Sequence, residues 1–194
     1  MKKIIPLILL SLLLATPACE VTDNTSKENI LKNAANFEKG VDTPLEYNNG
    51  LVSQVSLLQA AIVKLENIIF EENFDPSNAD HYKGYSKAYD DFSKKCKKVK
   101  KVVSSVKPVG KQSGKYRDAA IGFINSISNL SPLYAPEVVK KAYFDTDKSW
   151  GERRGELNQL AFQKRDGYLK MNDIFCKKND IKVSGKVDIN ELAK

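Results

Sequence analysis

Between Tyr82 and Val106 the apolar residues Tyr82, Tyr85, Tyr89, Phe92, Cys96, Val99, Val103 and Val106 follow one another at steps of 3, 4, 3, 4, 3, 4 and 3. That spacing is a heptad seam. A helix carrying such a stripe is not stable alone; it needs other helices to cover it.

The flanking chain supplies them. A helix is expected from Pro44 to Glu72, with Leu51, Val55, Leu58, Ile62, Leu65 and Ile69 forming a second seam. Pro44 is acceptable in a first turn, after Asp42 and Thr43. Gly50 reads as a mild weakness, costing about 1 kcal/mol against Ala. The turn at residues 73–77 contains Pro76, and Asp75 or Ser77 is the expected cap of the seam helix. That helix ends before Pro108, because the residue preceding proline avoids the α region. A third helix begins near Ser113 or Lys115, carries Tyr116, Ala120, Phe123, Ile127 and Leu130, and is broken by Pro132 and Pro136. Leu133, Tyr134 and Ala135 form an apolar elbow, and a short helix restarts at Pro136. After a turn at residues 145–148, Ser149 and Glu152 match a capping box. The fourth helix runs to about Asn179, with Trp150, Leu157, Ala161, Tyr168, Met171 and Phe175 inward.

The expected fold is therefore all-α: an up-down-up-down bundle of four long helices, the third kinked or broken at its prolines. A 3.5-residue period implies shallow left-handed crossings. With matching seams on the other helices, Tyr82–Val106 reads as the central wall of a monomeric bundle rather than as a dimer seam.

The N-terminus is a targeting segment. Lys2 and Lys3 give a positive start, Ile4 to Ala15 is almost wholly apolar, and small residues precede Cys19. A stretch of twelve residues suits a signal peptide and is too short to span a membrane. Cys19 stands where a bacterial lipoprotein is cleaved and acylated. Thr16 occupies a position where that pattern prefers Leu, and the alternative is ordinary cleavage after Ala18 with secretion. The expected organisation is a signal peptide at 1–18, a lipidated cysteine and polar tether at 19–43, a helical domain at 44–183, and a polar tail at 184–194. Within the tether, Ile30 to Phe37 is a weak helical patch. In the tail, Asp188 and Glu191 suit one closing turn carrying Ile189 and Leu192.

With Lys2 and Lys3 removed from the 31 basic side chains, the 24 acidic ones leave a net charge of +5. For an exported protein this points away from nucleic acid and toward an anionic membrane or envelope polymer. Beyond Cys19, Cys96 and Cys176 remain as an even pair in an oxidising compartment. They are either joined by a disulfide or are two small buried thiols.

The inventory of chemistry is short. His81 is the only histidine. One histidine cannot furnish a Glu-x-x-His pair on two helices. It also limits any Ser-His-Asp or Cys-His arrangement to a residue that reads as exposed or adjacent to a cap. There is no Cys-x-x-Cys-His, no glycine-rich phosphate loop and no calcium-loop spacing. No cofactor, metal or enzymatic activity is expected. The strongest charge feature is the run Lys94, Lys95, Lys97, Lys98, Lys100 and Lys101 around the inward Cys96 and Val99. It is either a solvated face or a contact for anionic lipid or envelope polymer. Arg153-Arg154 and Lys164-Arg165 would extend it if those faces adjoin. Tyr82, Tyr85 and Tyr89 are expected as core rather than as a ligand groove.

Tyr47-Asn48, Tyr116-Arg117-Asp118-Ala119-Ala120, and Phe175 followed by Asn179 give the region 45–183 a pattern that resembles a family of uncharacterised bacterial surface lipoproteins. The resemblance implies a small helical domain behind a lipidated cysteine and no assigned activity. The expected function is that of a non-enzymatic envelope lipoprotein that binds or scaffolds another envelope protein or an anionic polymer. The alternative is a periplasmic immunity or inhibitor lipoprotein that neutralises a toxin or hydrolase.

Overall fold

The computed structural model describes residues 26–144, 149–182 and 187–194. The expected signal peptide and Cys19 lie outside these. Among the described residues all regular secondary structure is helical. It forms α1 (Lys27–Lys39), α2 (Pro44–Phe70), α3 (Ala79–Ser105), α4 (Ser113–Ser128), a 3-10 turn (Ser131–Tyr134), α5 (Pro136–Phe144), α6 (Ser149–Lys178) and α7 (Ile189–Ala193). The four long helices occur where the periodicity places them. The expected four-helix description is nonetheless too simple, because α1, α5 and α7 are also part of the body.

The helix ends follow from local chemistry. Thr43 and Glu46 form a reciprocal capping box at α2, with Pro44 in its first turn. At α3 the cap is Asn78, whose side chain accepts from the backbone N–H groups of Asp80 and His81. Neither Asp75 nor Ser77 caps this helix: Asp75 Oδ1 accepts from both Ser77 N (2.8 Å) and Ser77 Oγ (2.7 Å), closing the turn instead. Gly110, with φ of 98°, and Gln112, with φ of 66°, turn the chain into α4. Asn179 clasps that loop. Its Oδ1 accepts from Lys111 N at 2.8 Å, and its Nδ2 donates to Lys111 O at 3.0 Å. Asp188 caps α7 through Asn190 N and Glu191 N.

The seam on α3 is the buried stripe expected: Tyr85, Phe92, Cys96, Val99, Val103 and Val106 are all buried, and Tyr82 and Tyr89 are half-buried. The central element, however, is α2, not α3. It contacts α1, α3, α4 and α7. Polar residues that would otherwise mark a wet face are buried on it, among them Asn48, Ser53, Gln54, Ser56, Gln59 and Glu66. By length and composition α2 would pass for a membrane span, yet 72% of its most apolar 18-residue window is buried inside the protein.

Docked structure is thus already present in α1, ahead of the expected domain start at residue 44. In α1, Ile30, Ala34 and Phe37 recur at helical spacing and are buried. A 13-residue helix this polar is marginal in water and exists because it docks. Gln54 Nε2 donates to Ala34 O at 3.0 Å, and Phe37 fits over Gly50. At the other end of the chain, Val187, Ile189 and Ala193 are buried and α7 packs on α2, so this part of the expected polar tail is docked too.

Gly50 is thus a notch rather than a flaw. A Cβ there would lie 2.3 Å from Phe37 Cδ2 and 2.5 Å from its Cβ. Helix propensity alone favours Gly50→Ala by about 1 kcal/mol, whereas forcing an extra carbon into a packed contact costs about 1–3 kcal/mol. The clash wins. We expect Gly50→Ala to release α1, seen as faster amide exchange and tryptic cleavage over residues 27–39. A higher melting temperature with α1 still protected would contradict this packing.

Candidate functional site

Because α3 commits one side to the seam, its lysines occupy the rest of its circumference. Lys94, Lys97, Lys100 and Lys101 are exposed and form no ion pair among the described residues. Lys98 reaches across to α1 and pairs with Glu38 at 2.8 Å. That hydrogen bond holds the Glu38 carboxyl below its ordinary pKa. Lys95 is half-buried, and burial lowers its ammonium pKa against the help of Asp91. The expected set of six lysines thus resolves into four outward cations, one strap to the N-terminal helix and one flanking residue.

The condition for extending this patch onto α6, that the two faces adjoin, is not met. Helices α3 and α6 each pack on α4 and make no substantial contact with one another. Arg165 lies over the Phe162 ring at 5.1 Å and pairs with Asp166 at 2.9 Å. Arg154 turns inward.

Arg154 belongs to a buried polar centre. Its Nη2 donates to Glu66 Oε1 at 2.8 Å and its Nε donates to Tyr134 Oη at 2.9 Å. The Tyr134 hydroxyl donates to the same Glu66 oxygen. Side-chain exposure is 11% for Arg154 and 1% for Glu66. The guanidinium also lies 5.0 Å from the Phe70 ring centroid and 5.7 Å from that of Trp150. Trp150 Nε1 donates to Leu133 O at 2.8 Å, and Tyr85 Oη donates to Tyr134 O at 2.6 Å. The centre ties α2, α3, the 3-10 turn and α6 together, and the elbow at residues 133–135 is its hub. Burial works against the Arg154 charge; the Tyr134 and Glu66 oxygens outweigh it and raise the pKa. Arg154 on α6 donates to Glu66 on α2 and to Tyr134 in the 3-10 turn, so the arrangement is a lock between these elements.

A second polar cluster lies toward the other end of α2. Asn172 Nδ2 donates to Asn48 Oδ1 and to Tyr116 Oη, both at 2.6 Å. Tyr116 also donates to Asn48 Oδ1 at 3.2 Å. Around them Tyr47, Tyr116, Tyr168 and Phe175 pack ring against ring, with Tyr116 stacked on Phe175 at 5.0 Å. The residues that carried the family resemblance, Tyr47-Asn48, Tyr116 and Phe175, therefore converge on one core cluster.

Cys96 and Cys176 are both buried and form no disulfide with one another. Cys96 lies beside Ser128 and burial raises its thiol pKa, while Cys176 Sγ sits 3.7 Å from Asn48 Oδ1. Asn48 in turn touches Tyr116. Residues 116 and 128 are separated along α4 by about 18 Å. A disulfide needs Cα atoms within about 7 Å, so of the two alternatives for Cys96 and Cys176 the structure has the pair of small buried thiols.

His81 is exposed, and its Nδ1 accepts from Asp75 N at 3.2 Å, which gives it a structural place in the turn before α3. Tyr85 is core; its hydroxyl is spent on the Tyr134 carbonyl. Among the described residues no group of three or more His, Cys, Asp and Glu side chains is placed to hold a metal ion. A polar cleft of about 230 Å3 lies at the α1–α2 junction, lined by Asn33, Asn36, Lys39, Asp42, Glu46 and Asn49. Glu46 is occupied there by the α2 cap.

Taken together, these features define an all-helical protein with a basic outer face on α3 and two buried polar locks. No protein-family model, curated protein or solved structure matches the chain.

Proposed function

We propose that this chain is a lipid-anchored, non-enzymatic protein of the bacterial cell envelope that binds or scaffolds another envelope component. The observation that carries the reading is the leader: Lys2-Lys3, the apolar run Ile4 to Ala15 and Cys19 behind small residues. The resemblance of residues 45–183 to surface lipoproteins supports the same reading. In this reading the four long helices are an up-down-up-down frame of a monomer, with α1, α5 and α7 as its cover. The binding face is the row Lys94, Lys97, Lys100 and Lys101. Its counterpart is an anionic polymer or an acidic face of an envelope protein, met through screened, salt-sensitive charge.

Fractionation tests the anchor. Cys19→Ala is expected to move the protein from the membrane to the soluble fraction, and continued anchoring would sink the lipoprotein reading. Crosslinked capture from native envelopes tests the binding face. Exchanging Lys94, Lys97, Lys100 and Lys101 for Glu should abolish the captured component without altering anchoring. Stoichiometric capture of a single toxin or hydrolase would favour the inhibitor reading instead.

A further inference from the structure

We infer that the pole of the molecule bearing Tyr143 and Phe144 is the one that rests on the membrane, with the two aromatic rings seated at the lipid interface. The inference rests on the lipid-anchor reading above and adds an orientation to it.

Its first support is a ladder of rings that runs from the core to solvent. Tyr85 is buried against Phe74 at 5.8 Å, Phe74 meets Tyr143 at 6.3 Å, and Tyr143 meets Phe144 edge-on at 5.1 Å. Tyr143 is 37% exposed and Phe144 57% exposed, the highest value among the exposed large hydrophobic side chains of the described residues. Two adjoining exposed aromatics held from beneath are an unusual surface for water. Aromatic rings of this kind are favoured at membrane–water interfaces. Lys140 and Lys141 flank them, and Lys140 Nζ lies 5.1 Å from the Tyr82 ring centroid. Glu71, Glu72 and Asp80 are exposed on the same pole. Net charge therefore does not drive this contact; ring insertion does.

The second support is where the chain enters. Ala34 is bonded to Gln54 and Phe37 faces Gly50, so α1 runs antiparallel to α2. Ser26 precedes Ala34 by eight residues, which places it about 12 Å further toward the C-terminal end of α2, level with residue 62 or so. From that level the end of α2 at Phe70 is about 12 Å away and its start at Pro44 about 27 Å away. Seven residue steps separate Cys19 from Ser26 and reach at most about 25 Å when fully extended. A lipid on Cys19 thus brings the Phe70–Phe74 end, with its Tyr143 and Phe144, to the bilayer. The lysines near Glu38 face away from it.

The test uses the full chain, extracted from membranes and reconstituted into phosphatidylethanolamine–phosphatidylglycerol vesicles with brominated acyl chains. In a Trp150→Phe background, Phe144→Trp and Leu45→Trp place an indole at either pole; Leu45 is 40% exposed near the start of α2. The indole at position 144 should be quenched several-fold more than that at position 45, and salt should not change this. Equal quenching, the reverse order, or no quenching at position 144 would overturn the orientation; the last is the result expected if a protein partner covers these rings. Because Trp150 has a structural hydrogen bond, amide exchange of the unaltered chain is a second readout. Residues 136–144 should exchange more slowly in vesicles than in the Cys19→Ala chain free in buffer, and equal rates would count against the inference. Intact mass of the extracted protein separates the two failures. An acylated chain with the wrong pole quenched defeats only the orientation, whereas an unacylated Cys19 removes the anchor reading and the orientation with it.

Discussion

Arg154→Met should lower the free energy of unfolding by about 3–5 kcal/mol, the range for removing one partner of a buried ion pair. The reason is what remains. Glu66 is 1% exposed at its side chain and takes its hydrogen bonds from Arg154 and Tyr134. Without Arg154 its charge is left in a low-dielectric interior with one neutral donor. The pair need not be stabilising relative to apolar residues of similar volume, since desolvation of both charges offsets much of their attraction. The double variant Glu66→Leu with Arg154→Met should therefore recover most of what the single variant loses. Urea unfolding at neutral pH measures both. A shift of midpoint at constant slope reports stability alone. A single variant that loses less than about 1 kcal/mol, as a solvent-exposed pair would, would show that this arginine is not locked inside.

The position of Arg154 also shows where sequence stops being informative. Arg153 and Arg154 are adjacent and identical in type, yet only Arg154 turns to the core. Which one does so depends on the phase of α6 against Glu66, 88 positions away in the chain. By contrast, the seam from Tyr82 to Val106 was legible because seven regular steps are a property of one segment. The centrality of α2 had a local signal that apolar periodicity passes over: residues 47–63 contain no charged side chain. A helix with one wet face rarely goes that long without a charge. The docking of α1 had only Ile30, Ala34 and Phe37 on its inward face to announce it in a polar stretch. What decides it is the missing Cβ of Gly50, on a different helix. Glu66 and Tyr134 were missed as a pair for the same reason, being 68 residues apart. The lysine row was visible as composition, but its division into outward cations and a strap to Glu38 depends on α1 being present.

Alkaline pH should unfold this protein well before its lysine-rich surface alone would suggest. Burial raises the pKa of Tyr47 to about 12, and pushes those of Tyr85 and Tyr134 up as well. An unfolded tyrosine ionises near 10. A group whose pKa is raised by folding contributes stability that is fully present below the unfolded pKa and is lost as pH rises through the folded one. Each such tyrosine therefore removes about 1.4 kcal/mol per pH unit above about pH 10, and three together about 4 kcal/mol per unit. Against a typical stability of about 5–15 kcal/mol, helical circular dichroism should collapse above about pH 11. A jump in tyrosinate absorbance should coincide with it. Smooth ionisation from pH 10 with helicity intact would mean that these hydroxyls reach water. Two variants separate the contributions. Tyr85→Phe loses the bond to the Tyr134 carbonyl and should cost about 1 kcal/mol at neutral pH. The Tyr47 hydroxyl is buried without a hydrogen-bond partner among the described residues. Tyr47→Phe should then cost little or nothing at neutral pH, because it removes an unsatisfied group; it should shift the alkaline midpoint upward. A loss at neutral pH as large as that of Tyr85→Phe would require the Tyr47 hydroxyl to be bonded in solution.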